Sequence, residues 1–417
     1  MKKLLFLAIA AAMLAACGEA PVKGKHEVKQ LNLTQDGQEM CSKQNDFSIR
    51  MLQQISLGKD ESVFVSPLSA SIVCAMIANG AKGETQEEIL TAIGTQDYSM
   101  SELNAHYLNL LECLPYQDQT TTLKIADAVY IDEGYPVEPS FTDVVKNHYL
   151  AEVTNLDLSN PASADMINAW CKKQTNGLIK KICDETYFGE DLHLVLLNAL
   201  YFKGEWEEQF KKSNTYEQAF HAESGDTMQE MMHGEIEAGA TPSGRYNEET
   251  YAYEEYDERL LRLFYKDNGY CMDIILPKKG TDFKEWFCEL TMEKIDKLAK
   301  QAGIQSINVT LPKFKMERQY RLNGTMQAMG MQLAFDSQLA DFSGMSTATK
   351  LYLDLLQQNT YIEVDEEGTR AAAVTSGWMK PTDSGDFIDP FVADHPFVFL
   401  IRDVKNGIIL FAGTYIK

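Results

Sequence analysis

The sequence predicts one large α+β domain in which helices and long antiparallel strands interleave without a parallel βαβ rhythm. Three observations carry that expectation. The run "FVSPLSASIVCAMIANGAKG" from Phe64 starts as a strand end, turns at Ser66-Pro67 and continues as a helix so apolar that it must be buried. "LHLVLLNALYFKG" from Leu192 is too apolar for a surface strand and reads as the centre of a sheet covered on both faces. Two pairs of apolar runs flank Asn268-Gly269 and Asn406-Gly407, and Asn-Gly is the strongest short hairpin signal.

The elements follow in chain order. "MKKLLFLAIAAAMLAAC" joins Lys2-Lys3 to an apolar run too short to span a bilayer in the usual way, which predicts an export signal. Its end, Leu14-Ala15-Ala16-Cys17, resembles the lipobox of bacterial lipoproteins, whose cysteine is acylated and becomes the new N-terminus. The expected organisation is a signal over 1–17, a flexible polar tether over 18–44, and a folded domain over 45–417. Lipid on Cys17 would hold the protein at a bacterial outer membrane or cell surface, each buried methylene contributing about 0.8 kcal/mol; without it the protein is periplasmic or extracellular. "DFSIRMLQQI" gathers Phe47, Ile49, Met51, Leu52 and Ile55 near one helical face. Thr85-Gln86-Glu87-Glu88 has the pattern of a capping box leading into Ile89-Leu90. "LKIADAVYID" alternates as a strand, Gly134-Tyr135-Pro136 turns the chain, and "PSFTDVVKNHY" is a helix.

Composition excludes several function classes. The 417 residues, 45% hydrophobic, suffice for a substantial core. With 61 acidic and 38 basic side chains the formal charge is −23, which repels phosphate backbones and anionic glycans, so nucleic acid is not an expected partner. Gly83 to Leu123 contains no Lys or Arg, so no basic helix for heparin lies there. Beside Cys17 stand Cys41, Cys74, Cys113, Cys171, Cys183, Cys271 and Cys288, without C-x-x-C spacing. Neither zinc nor a disulfide framework is indicated, and most are expected as small apolar fillers.

A screen for catalysis is negative. Gly344-Met345-Ser346-Thr347-Ala348 comes nearest to a nucleophile elbow but has Ala where the second glycine is needed. No H-E-x-x-H, phosphate-cradling loop or dinucleotide fingerprint occurs. His26, His106, His148, His193, His221, His233 and His395 lack metal-ligand spacing. Asp365-Glu366-Glu367-Gly368 lacks the alternating acids of a calcium loop. No cofactor or metal is expected. "YNEETYAYEEYDE" reads as a half-solvated strand edge.

Motifs in order and spacing carry a further identification. They are "FVSPLSASIVCAMIANGAKGET" from Phe64, "INAWCKKQTNGLIK" from Ile167, "LVLLNALYFKGEW" from Leu194, "LPKFKMERQYRL" from Leu311, "ADFSGMS" from Ala340, "EVDEEGTRAAA" from Glu363 and "ADHPFVFLI" from Ala393. In series they resemble the serpins from Asn45 to Lys417. The resemblance implies three β-sheets, about nine helices and an exposed reactive-centre loop over about 366–395. It also implies a monomer that is no enzyme but a suicide substrate, trapping a serine protease as a covalent acyl-enzyme. Papain-like cysteine proteases are a second target class.

The residues of that loop permit the mechanism. In an extended strand Thr369, Ala371, Ala373, Thr375 and Gly377 share one face, while Arg370, Ala372, Val374 and Ser376 share the other. The first set is uniformly small and can slide between two strands without overfilling the core; Arg370 points to solvent. Gly368, after Glu366 and Glu367, supplies backbone freedom for the hinge. Each new ladder hydrogen bond contributes about 0.5–1.5 kcal/mol net, so a dozen or so rival a typical folding stability.

Other residues are implied by the resemblance alone. Ser66, Ser69 and Asn198 match the gate beneath the central sheet, where many members place a histidine and this chain has Gln358. An amide donates and accepts but takes no charge. Trp206, with Thr175-Asn176-Gly177 nearby, matches the place where insertion starts. Counting from Glu366 gives Thr382-Asp383 as the scissile bond and an elastase-like target, whereas counting back from Pro396 gives a bond a few residues later. Trp378, Met379 and Lys380 are alternates, although Pro381 disfavours cleavage after Lys380. Two rival functions stand beside inhibition: a non-inhibitory serpin acting as binding protein or chaperone, and a decoy that is cleaved and released.

Overall fold

The computed structural model describes residues 27–247, 249–369 and 389–417. Helix α1 spans Gln35–Ser56, so the fold begins well before Asn45 and the expected tether over 18–44 is corrected from its C-terminal side. The reason is local. Thr34 caps the helix, its hydroxyl accepting from Gly37 N at 3.1 Å, and Met40, Cys41 and Gln44 are buried ahead of Phe47, Met51 and Leu52. The polar composition of this stretch conceals how its side chains are used: Gln44 Nε2 donates to Ser71 Oγ at 2.8 Å inside the core. Upstream, Leu31 is buried and Lys29 N donates to Tyr116 O at 2.9 Å.

Strand β1 (Phe64–Val65) enters α2 (Pro67–Gly80), which Ser66 caps and which is buried almost all round, as its composition requires. In α3 (Gly83–Ala92) the expected capping box is not formed, because the helix starts ahead of it. Thr85 Oγ1 accepts from Asp341 N instead, and Glu88 accepts from Gln332 N and Leu333 N. The box appears at α4 (Met100–Cys113), between Ser99 and Glu102. There follow β2 (Thr122–Asp132), α5 (Pro139–His148), β3 (Glu152–Leu156), α6 (Ser163–Gln174) and β4 (Leu194–Glu205).

The middle of the chain gives β5 (Thr215–Ala222), β6 (Gly225–Ala240), β7 (Gly244–Asn247), β8 (Ala252–Glu255), β9 (Glu258–Phe264) and β10 (Tyr270–Pro277). Next are α7 (Phe283–Cys288), α8 (Met292–Gln301), β11 (Gly303–Pro312), β12 (Phe314–Arg321) and α9 (Asn323–Ala328). The C-terminal part supplies β13 (Gln357–Asp365), β14 (Gly368–Thr369), β15 (Phe391–Val392), β16 (Phe397–Asp403) and β17 (Ile409–Tyr415). Both hairpins form: β9 pairs with β10 and β16 with β17. In the first, Asp267 and Asn268 take the positive φ rather than Gly269, which instead leaves room for Asp118.

Among the described residues the strands make three sheets. A nine-stranded sheet runs β1-β17-β16-β10-β9-β6-β11-β15, with β5 added to β6. A six-stranded sheet runs β12-β13-β14-β4-β2-β3, and β7 and β8 form a ribbon of their own. As its apolar run requires, β4 is interior, with one face in the main core around α2 and the other against α6. Cys41, Cys74, Cys171 and Cys271 are buried as apolar fillers, Cys113 and Cys183 partly so, and Cys288 is exposed; burial pushes the Cys41, Cys74 and Cys171 thiols up to about 12.

Candidate functional site

The site lies where β13, β14 and β4 meet. Along β13, Gln358, Thr360, Ile362 and Val364 are buried in alternation, the period of a strand with one face in the core. After Asp365 the chain reverses in a tight turn, its Oδ1 accepting from Glu367 N at 2.9 Å and Gly368 N at 3.2 Å. Gly368 has φ 149°, and a Cβ on it would fall 2.3 Å from Gly204 O, so no other residue fits. The turn delivers β14 between two strands at once. Thr369 is opposite Val364 on one side and Gly204 on the other, while Gly368 is opposite Asp365 and Glu205.

Buried side chains fix this junction. Thr369 Oγ1 is 2.6 Å from Tyr265 OH, and the Tyr265 ring stacks on Trp206 with centroids 4.6 Å apart. Gly204 makes that possible, since a Cβ there would fall 2.6 Å from the Tyr265 ring. Trp206 grips the turn twice, through Nε1 to Asp365 O and through its backbone N to Glu367 O, both at 3.0 Å. Glu366 and Glu367 are buried and paired, with Lys313 at 3.1 Å and Lys212 at 2.5 Å. Burial pushes the Glu366 carboxyl up, but its own backbone amide and Lys313 outweigh that and hold it below the usual carboxylate value.

The expected loop boundaries of 366–395 narrow accordingly. At one end Glu366, Glu367, Gly368 and Thr369 already belong to the sheet junction; at the other, β15 pairs in parallel with β11, and Ala393, Asp394 and His395 are buried. Arg370, Ala371, Ala372, Ala373, Val374 and Thr375 of the hinge lie outside the described residues, as do Trp378, Met379, Lys380, Thr382, Asp383 and Cys17.

Farther down the same strands, Gln358 clasps Ser66 with both ends of its amide. Its Oε1 accepts from Ser66 N at 2.9 Å and its Nε2 donates to Ser66 O at 2.8 Å. Ser66 Oγ donates to Leu410 O at 2.8 Å and accepts from Ser69 N at 3.3 Å, which ties the gate to the second sheet. Asn198 does not join this group by a hydrogen bond. It donates to Asp127 Oδ1 at 2.9 Å across the β2–β4 ladder. Burial pushes the Asp127 carboxyl up to about 7 against the opposing effect of that bond, and its Oδ2 has no partner among the described residues. Thr175-Asn176-Gly177 closes α6 and is not beside Trp206. The preceding Gln174 reaches Glu152, which pairs with Ala128 in the middle of β2, whereas Trp206 follows the end of β4.

Tyr265, Lys313, Lys212 and Asp127 are functional candidates that reading the sequence missed. Lys313 stands inside the quoted motif from Leu311, where its pairing with Glu366 was legible in principle. Tyr265 ends an apolar strand with nothing in its neighbours to mark it; only the Trp206–Tyr265 bridge across the fold does so.

The junction thus seats β14 between β13 and β4 of a six-stranded sheet. The family model for Serpin (serine protease inhibitor) matches residues 42–417. The chain is 32% identical to an uncharacterised serpin-like protein of Thermococcus kodakarensis over 88% of its own length and 83% of that protein. It is 31% identical to leukocyte elastase inhibitor of Homo sapiens, covering 85% of this chain and 92% of that one. The crystal structure of the thermophilic serpin tengpin in its native state superposes with a TM-score of 0.79 at 30% identity, over 94% of this chain and 97% of the other. The chain belongs to the serpin family, whose members are protease inhibitors rather than catalysts.

Proposed function

We propose that this serpin inhibits serine proteases as a suicide substrate, inserting its loop between β13 and β4. The observation that carries the reading is β14 itself: Gly368 and Thr369 pair on both sides, so the first rung of the insertion is built. Among the described residues β13 and β4 connect through β14 and not to each other. Extending the β14 register would set Ala371 between Phe202 and Ile362, Ala373 between Leu200 and Thr360, and Thr375 between Asn198 and Gln358. These are the small residues of one face, and they would meet the core side of both strands. On the opposite face Arg370 would stand between Glu363 of β13 and Lys203 of β4.

In this reading the protease's serine attacks the Thr382 carbonyl, the Thr382–Asp383 bond breaks, and Asp383 leaves as the new amine. The ester left on Thr382 is then either hydrolysed or carried off as the hinge zips in. Thr382 favours an elastase-like pocket. The inhibitor acts as a monomer without heparin, held at the cell surface by acyl chains on Cys17.

A denaturing gel tests the reading. An SDS-resistant adduct with elastase-, trypsin- or chymotrypsin-like enzymes supports inhibition; cleavage without adduct supports the decoy, and neither supports a binding protein. Mass spectrometry of the small C-terminal fragment locates the bond, and an N-terminus at Pro381 or earlier sinks the choice of Thr382. Fatty-acid label that survives Cys17→Ser unchanged sinks the anchor.

A further inference from the structure

The segment expected only as a strand edge forms the β7–β8 ribbon, and its position gives it a second meaning. Its register runs from Gly244 opposite Glu255 to Asn247 opposite Ala252, and among the described residues it pairs with no other strand. An isolated two-stranded hairpin is marginal in water. This one is fastened to the C-terminal foot of the reactive loop. Ser243 Oγ donates to Asp389 Oδ2, and Tyr253 OH donates to the same oxygen at 3.2 Å. From the start of β9, Arg259 donates to Pro390 O at 2.9 Å and to Asp389 O at 3.2 Å.

The ribbon turns aromatic rings to solvent. Tyr251 is 81% exposed, at a positive φ of 55°, and Tyr246 is 59% exposed; Tyr253 and Tyr256 are also exposed. A tyrosine buries a large rigid ring at little entropic cost and keeps a hydroxyl for a partner, which is why it is enriched at protein interfaces. Around these rings the local cations are paired within the ribbon's neighbourhood, Arg245 with Glu254 at 3.1 Å and Lys278 with Glu255 at 3.0 Å. Glu249 and Asp257 add negative charge to a chain of net charge −23.

We propose that this ribbon is an exosite: a tyrosine-rich second contact for the protease that attacks the loop, selecting enzymes with a basic surface beside the active cleft. The proposal rests on the inhibitor reading above. Reach supplies the occupant. Fully extended, the chain from Thr382 to Asp389 spans at most roughly 25 Å, whereas a protease domain of about 225 residues, with a radius of gyration of about 17 Å, is about 44 Å across as a sphere. An enzyme seated on Thr382 therefore overhangs the foot of the loop, where the ribbon stands. The acidic field steers a cationic enzyme toward it.

The test uses the full-length protein and the Tyr246→Ser/Tyr251→Ser double variant, which leaves the Tyr253–Asp389 fastening in place. Association rates are measured with leukocyte elastase, trypsin and chymotrypsin, at low and high salt, together with inhibition stoichiometry. The expected result, for whichever enzyme forms adduct fastest, is a loss of association rate of about tenfold at unchanged stoichiometry, with a weaker salt dependence after Glu249→Lys. Equal rates for wild type and double variant overturn the exosite alone. No covalent adduct with wild type for any enzyme overturns the inhibitor reading and the exosite with it. A wild type that dimerises in sedimentation while the double variant stays monomeric overturns the exosite in favour of a second copy as occupant.

Discussion

Thr369 Oγ1 lies 2.6 Å from the phenol oxygen of Tyr265, in a buried pair that exists only while Thr369 is seated in the sheet. Burial pushes the Tyr265 phenol far up, so it keeps its proton and can donate. The bond thus works as a latch on the first rung of β14. Tyr265→Phe keeps the ring stacked on Trp206 and deletes the latch alone, leaving the Thr369 hydroxyl buried with one partner fewer. The expected loss is about 1 kcal/mol, read as amide exchange at Gly368 and Thr369 that quickens about fivefold while the rest of β13 is unchanged. Equal exchange in the variant would show that the ladder alone seats the hinge.

Thr369→Arg attacks the same rung by charge and size. The side chain at 369 is buried against Tyr265 and opposite Gly204, where an unpaired guanidinium costs several kcal/mol. Insertion should slow relative to ester hydrolysis, converting inhibitor to substrate. On a denaturing gel the adduct band should give way to cleaved protein; an undiminished adduct would refute insertion through this rung.

The Lys313–Glu366 pair, at 3.1 Å, holds the turn that precedes the hinge. Glu366 is buried and Lys313 half-exposed, so Lys313→Met strands a carboxylate whose remaining support is mainly backbone. Allowing for solvent around Lys313, the expected loss is about 1–3 kcal/mol. Because the Glu366 carboxyl is held below its usual value, its contribution is present above an unfolded pKa of about 4.3 and disappears as pH falls through the native value. The melting temperature of the variant should therefore lie below wild type at pH 7, and the two should converge as pH falls below that native value.

How much of this was legible in the sequence depended on the range of the interaction. The buried helix α2, the central strand β4 and both hairpins announce themselves by local pattern; the alternation read from Thr369 onward falls, after Thr369, outside the described residues. The start of α1 was hidden because Gln44 and Asn45, polar on paper, are spent on partners in the core: Asn45 Nδ2 donates to Gly407 O at 2.9 Å, across the whole chain. The Thr85–Glu88 box misled for the converse reason, its side chains being diverted to Asp341, Gln332 and Leu333. At the site, Ser66 and Gln358 meet through both ends of the amide. The Tyr265 latch joins residues separated by 104 positions and leaves no local trace.

Asp127 places a titratable group on β2, one strand away from the gap that β14 occupies. Gln358 takes no charge, so protonation at the Ser66 clasp is not available, but Asp127 bonds Asn198 of β4 from the adjoining strand β2. Tyr149, from beyond α5, also faces it; burial raises the Tyr149 phenol, and the Asp127 charge adds to that rise. With the native carboxyl pushed up to about 7 and an unfolded value near 3.9, the native state binds the extra proton between those limits. Stability therefore falls as pH rises through that window, by up to about 1.4 kcal/mol per unit, and the penalty is complete above pH 7. Asp127→Asn keeps the shape and removes the charge. The variant should melt higher than wild type at pH 8, the advantage shrinking steadily to nothing near pH 4. Identical pH profiles of melting for the two proteins would show that Asp127 takes up no extra proton in the folded state.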